Sequence, residues 1–141
     1  GGANNDVLDV RLGGNDTLTF GDGADLALFG NQLNQFDSIN GTGSGNDSVA
    51  YEDVSSTGGS ELNRASGLEY VSVTGSAGVV LTLLDNAVMS AGATIDASGA
   101  TSGMQLNAAA DADGLVILGT DTVTGDLITL GVLDERRDGA R

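Results

Sequence analysis

A short unit recurs through the first third of the chain: a glycine-rich turn, one aspartate, and an apolar residue two positions beyond it. It reads Gly1-Gly-Ala-Asn-Asn-Asp-Val-Leu-Asp9, then Gly14-Asn15-Asp16-Thr17-Leu18, Gly21-Asp22-Gly23-Ala24-Asp25 and Gly43-Ser44-Gly45-Asn46-Asp47-Ser48-Val49. Asp6, Asp16 and Asp25 are ten and nine residues apart, and Asp37 and Asp47 are again ten apart. A unit this small cannot bury its own apolar residue, so it must stack on copies of itself. The expected fold is all-β: a right-handed parallel β-helix or β-roll solenoid, with calcium bound between stacked turns.

The charge sits where that architecture needs it. Twenty acidic residues face five basic ones, and sixteen of the acids are Asp. Asp and Asn favour turns because their short side chains bond nearby backbone, whereas Glu favours helices. A net charge of −15 repels nucleic acid and anionic membranes and suits a multivalent cation. Aromatics are scarce and Gly reaches 23, which fits a thin core of small aliphatic layers. Pro is absent, as in a chain whose backbone donors are used in ladders. Cys is absent too, which removes disulfides and thiolate metal sites. No segment reaches the ~18 apolar residues of a membrane-spanning helix, and no signal peptide is visible. Because the chain opens inside a repeat, it is expected to be a fragment of a longer protein.

Two zones and a tail are expected. Residues 1–54 alternate acidic turns with strands at Val7–Val10, Thr17–Phe20, Leu26–Phe29, Ser38–Ile39 and Ser48–Tyr51. Residues 55–133 form a less regular continuation of the solenoid. Its strands are Tyr70–Val73, Val79–Leu83, Thr94–Asp96, Met104–Leu106, Leu115–Leu118, Thr122–Thr124 and Leu127–Leu130. A long loop is expected at 55–67, and either a helical turn or a bulging loop at 85–91. Residues 134–141, charged and without alternation, are expected to be a disordered tail. One coil should take about 18–20 residues, as two short strands and two turns.

Calcium takes about six to eight oxygens, partly carboxylate and partly backbone carbonyl. One turn offers too few, so a site needs two turns in successive coils. The spacing sets Asp6 near Asp25, nineteen apart, on one edge, and Asp16 near Asp37, twenty-one apart, on the other. Asp47, twenty-two beyond Asp25, continues the first edge. The candidate calcium-ligating set is Asp6, Asp9, Asn15, Asp16, Asp22, Asp25, Asp37, Asn46, Asp47 and Asp121, with Asp126 a weaker zone-two candidate. Asp96, Asp111 and Asp113 read as solvated turn residues.

These turns resemble the RTX (hemolysin-type) calcium-binding repeat family, closest at Gly43-Ser-Gly-Asn-Asp-Ser-Val49 and Gly21-Asp-Gly-Ala-Asp25. The first repeat departs from that pattern with Asn4 in place of glycine, where Asn is expected to keep the turn by adopting a left-handed backbone. The second repeat is shortened before Gly13-Gly14-Asn15-Asp16. Ala65-Ser-Gly-Leu-Glu-Tyr-Val-Ser-Val-Thr74, Val79 to Leu84, Asp85 to Ile95 and Ala110 to Val123 are similar to modules of large bacterial RTX adhesins and S-layer-like surface proteins. The resemblance implies secretion through a type I system and work outside the cell. The charged tail does not resemble the secretion signal that closes such proteins.

Catalysis is not expected. There is no His, Cys, Lys or Trp, so a Ser nucleophile would have only carboxylates as base. A carboxylate pair could cleave glycosides, but aromatic sugar platforms are wanting, and Tyr51 and Tyr70 read as core or rim packing. The glycines lack the Gly-Lys-Ser/Thr of a phosphate loop. The leading expectation is a secreted, calcium-stabilised structural module of a cell-surface protein: S-layer, adhesin stalk or filament. Its partners would be calcium and neighbouring modules or copies of itself, with no nucleic acid and no membrane insertion. The alternatives are the folding and secretion module of a type I secreted protease or lipase, and an ice- or glycan-binding module.

Overall fold

A computed structural model describes residues 1–54, 59–84, 88–110, 114–120 and 125–131, and the backbone of 136–138. Among these residues there are strands and turns but no helix. The strands are β1 (Val7–Asp9), β2 (Thr17–Thr19), β3 (Leu26–Gly30), β4 (Ser38–Asn40), β5 (Ser48–Glu52), β6 (Ala65–Ser66) and β7 (Leu68–Thr74). They continue as β8 (Val79–Thr82), β9 (Met89–Asp96), β10 (Met104–Ala108), β11 (Val116–Leu118), β12 (Leu127–Leu130) and β13 (Arg136–Asp138).

The odd-numbered strands form one seven-stranded parallel sheet, β1-β3-β5-β7-β9-β11-β13. The even-numbered strands form the facing wall in two pieces, β2-β4-β6 and then β8-β10-β12. Strands alternate between walls and pair only with the strand one coil away, which makes a β-solenoid. The rise per coil follows the register. Val7 pairs Leu26, Leu26 pairs Ser48, Ser48 pairs Tyr70, Tyr70 pairs Thr94, and Thr94 pairs Val116. Most coils therefore exceed the 18–20 residues expected. The surplus goes into bulges at Leu28/Gly30 and Leu68/Tyr70 and into longer corners.

Period-two alternation sends every second side chain inward. Register then stacks Leu8, Ala27, Val49, Val71, Ile95 and Ile117 in one column down the long sheet. All but Leu8 are fully buried. Leu18, Ile39 and Ala65 line the first facing wall, and Leu81, Leu106 and Ile128 the second. Phe20, just past β2, and Phe29, within β3, are fully buried.

Several expectations change here. The loop expected at 55–67 contains β6 and a turn at 61–64 that buries Leu62 and Glu61. Its Ser/Gly composition hid segments whose burial comes from packing. At 85–91, residues 85–87 lie outside the described ones, and Met89 to Ala91 belong to β9. Thr122–Thr124 also lies outside them. Within the tail expected to be disordered, Arg136–Asp138 pair in parallel with β11, whose open edge accepts any extended backbone. The long sheet runs without a break past residue 54, since β5 pairs β7.

The two tyrosines differ. Tyr51 faces inward and is buried, whereas Tyr70 stands on the outer face and donates to Asp96 Oδ2 at 2.5 Å. The hydrogen bond to Asp96, with burial and that carboxylate's charge, raises the Tyr70 phenol to about 12. Burial, then the charges of Glu61 and Asp53, push Tyr51 well above the ordinary phenol range. Both phenols hold their protons more tightly folded than unfolded. This contribution to stability is therefore complete below pH 10 and fades as pH rises through 12. In a spectrophotometric titration the native chain should show almost no phenolate at pH 10, while the denatured chain is half ionised. Half-ionisation of the native chain at pH 10 would refute the burial of Tyr51 and the hydrogen bond from Tyr70 to Asp96.

Candidate metal-binding corners

Each acidic corner is made by a turn that the next coil copies. Gly21 and Gly43 show why glycine is required. A methyl group on Gly43 would lie 1.4 Å from the Gly21 carbonyl oxygen, and one on Gly21 would lie 2.4 Å from the Gly2 oxygen. Coils thus approach backbone to backbone, with no room for a Cβ. Gly43→Ala should force those coils apart and cost on the order of 3 kcal/mol, read as a lowered urea midpoint. A cost under about 0.5 kcal/mol would mean the corners are not in contact. Asn4, expected to be left-handed, is not: among described residues only glycines have positive φ. An L-residue there avoids the strain by staying in the commonly allowed half of backbone space.

The aspartates follow the turns in register. Asp25 Oδ1 accepts the Asp6 N–H at 2.7 Å, and Asp47 Oδ1 accepts the Asp25 N–H at 3.0 Å. Glu69 Oε2 accepts the Asp47 N–H at 2.7 Å, and Ser90 Oγ donates to Glu69 Oε1. A ladder of carboxylates therefore runs up this edge, each receiving the amide of the acid one coil back. On the other edge Asp37 takes the Asp16 N–H on Oδ1 and the Asn34 N–H on Oδ2, both at 2.8 Å. Farther along, Asp126 receives the N–H groups of Met104 and Thr120, both at 2.8 Å, and the Thr120 hydroxyl.

The other candidates sit differently. Asp22 is exposed and accepts from Ser44 one coil on, through its N–H at 3.1 Å and its hydroxyl at 2.9 Å. Asn15 and Asn46 are exposed in the turns. Asp9 pairs with Arg11 at 2.5 Å on the outer face, and that guanidinium lowers its carboxyl to about 2. Asp9 thus serves a local ion pair, away from the ladder. Asp121 lies outside the described residues, as do Asp111 and Asp113. Sequence reasoning missed Glu69, which continues the first edge without a glycine repeat around it. It also missed Asp53, whose Oδ2 accepts the Val80 N–H at 2.7 Å.

Electrostatics oppose this ladder. Asp25, Asp37 and Asp47 are each only 1% exposed. Charges about 5 Å apart repel by about 3 kcal/mol at an effective dielectric of about 20. Burial, with the charges of Asp25 and Glu69, holds the Asp47 carboxyl above its usual range against the pull of the Asp25 N–H. Arg11 is the one basic side chain in an ion pair among the described residues, and it does not touch the ladder.

The donor set fits a calcium ion at one corner better than at the others. Asp25 Oδ2 is buried without a hydrogen-bond partner. A methyl group on Gly1 would lie 2.9 Å from Asp25 Oδ2, 2.9 Å from Asp6 Oδ2 and 1.9 Å from the Phe20 carbonyl oxygen. Two carboxylates and a backbone carbonyl thus approach one point beside Gly1, with Asp6 Oδ2 also accepting the Gly2 N–H at 2.7 Å and Asp25 Oδ2 the oxygen left without a donor. At Asp37 and Asp126 both carboxylate oxygens already receive N–H groups. No cluster of three or more acidic, His or Cys side chains forms among the described residues, so a corner ion would draw on backbone carbonyls. No family model, curated protein or solved structure matches the chain.

Proposed function

We propose that this chain is a calcium-stabilised structural module of a secreted protein, working outside the cell as part of a surface layer, adhesin stalk or filament. The observation that carries the reading is the unpartnered, buried Asp25 Oδ2, which approaches the same point beside Gly1 as Asp6 Oδ2 and the Phe20 carbonyl. A buried carboxylate oxygen without a donor is costly, and a divalent cation offsets that cost together with the repulsion along the ladder. Asp6 and Asp25 would hold the ion, which would supply charge neutralisation and a cross-link between coils. The resemblance of the turns to RTX repeats supports the same reading and extends it to type I secretion. In low intracellular calcium the acidic corners would keep the chain loose for export, and millimolar calcium outside would complete folding.

The test is a far-ultraviolet circular dichroism titration paired with electron microscopy. Calcium should increase the β signal, chelator should reverse it, and rods should be seen only with calcium. A spectrum indifferent to both additions would end the proposal.

A further inference from the structure

The facing wall changes at the junction between β6 and β8, which do not pair. As the first strand of its sheet, β8 would leave amides bare. The Val80 N–H is taken by Asp53 Oδ2 at 2.7 Å and the Thr82 N–H by the Gly59 carbonyl at 2.8 Å. This brings the end of β5 and the segment leading into the 61–64 turn against the same strand.

The interior of that junction holds polar atoms that no apolar core explains. Tyr51, Asp53 and Glu61 are 4%, 3% and 8% exposed. Tyr51 Oη, Glu61 Oε2 and Asn63 Oδ1 are all buried and all without a hydrogen-bond partner. The groups sense one another. Asp53 and Glu61 both raise the Tyr51 phenol after burial, and the Glu61 carboxyl is raised by burial and by Asp53. The nearest basic residue in sequence, Arg64, is exposed and donates to the Phe36 carbonyl.

We propose that the junction encloses a second kind of cation site, in which Glu61 Oε2, Asn63 Oδ1 and Tyr51 Oη, beside the Asp53 carboxylate, hold one hard divalent cation such as calcium. The donors are all oxygens, two of them carboxylates, a set that selects calcium-like ions over thiophilic or imidazole-preferring metals. Each of these three buried oxygens lacks a hydrogen-bond donor, and Asp53 and Glu61 bring two like charges to bear on the same phenol. A cation satisfies all three and offsets the two buried charges, which a water molecule does not. The site lies outside the glycine repeats and does not depend on the corner reading. Its role would be to lock the two pieces of the facing wall to the long sheet.

Terbium(III) is the probe, because tyrosine sensitises its emission and the chain has only Tyr51 and Tyr70 and no Trp. Tyr70 adjoins the Glu69 corner, so the measurement is made on the Tyr70→Phe chain, where Tyr51 alone reports. Sensitised emission that calcium displaces is expected. Adding Glu61→Gln should weaken it at least about tenfold, since ligand charge tunes affinity. Asp25→Asn should leave it unchanged, which separates this site from the corners. Circular dichroism checks folding. If Glu61→Gln does not fold, Asn63→Asp replaces it and should tighten terbium binding about tenfold. No emission from folded Tyr70→Phe, emission indifferent to Glu61→Gln, or no tightening by Asn63→Asp would overturn the site.

Discussion

Calcium at about a hundred times its dissociation constant should raise the stability of the chain by about 2.7 kcal/mol, or about 8 °C in thermal midpoint. Asp25→Asn should abolish that gain. Its Oδ1 can still accept the Asp6 N–H, so the ladder survives while the charge beside Gly1 is lost. In chelator the variant should match or exceed the parent, because one buried charge is gone. Asp37→Asn makes the control. Both Asp37 oxygens receive N–H groups, so the new amide NH2 must face a donor. That variant should lose about 1–3 kcal/mol in calcium while still gaining stability from the ion. Scanning calorimetry of the three chains in calcium and in chelator decides the matter. A calcium gain in Asp25→Asn equal to the parent's would place the ion elsewhere.

Ile95→Ala should destabilise the chain by about 2–5 kcal/mol, a large part of the 5–15 kcal/mol a domain typically has. Ile95 is fully buried in the column between Val71 and Ile117, and neighbouring coils pin both. A coil cannot slide inward to fill the gap without breaking the ladder bonds on either side. The removed methylenes should therefore leave a cavity rather than a relaxed core. Val7→Ala, at 67% exposure on β1, should change stability by less than about 0.5 kcal/mol. Urea unfolding of both variants gives the comparison. An Ile95→Ala loss below about 1 kcal/mol would mean the column is not packed as described.

What could be read from the residues was the vertical order. Leu8, Ala27 and Val49 each lie two positions after Asp6, Asp25 and Asp47, so one spacing aligned both the acids and the core column. The strands of residues 1–54 were legible within a residue or two for the same reason. What was hidden depends on contact between distant segments. Glu69 takes the next place on the ladder with a longer side chain and no Gly-rich turn before it, so no local pattern marks it. Asp53, Glu61 and β6 lie in or beside a Ser/Gly stretch that looks like solvent-exposed loop. Their burial appears only once β8 is set against them. Coil length was misjudged because bulges and wide corners add residues without changing the strand pattern.

The strands of the long sheet bond only to the coils before and after, so the ladder bonds lie end to end along the axis. Tension applied between the chain's two ends would load these bonds in series rather than side by side, and the weakest rung would part first. Each released coil of 22 residues, the step from Asp25 to Asp47, would pay out roughly 75 Å of slack. A solenoid joined this way stretches like a tape measure under load, giving length in instalments before the whole core is lost.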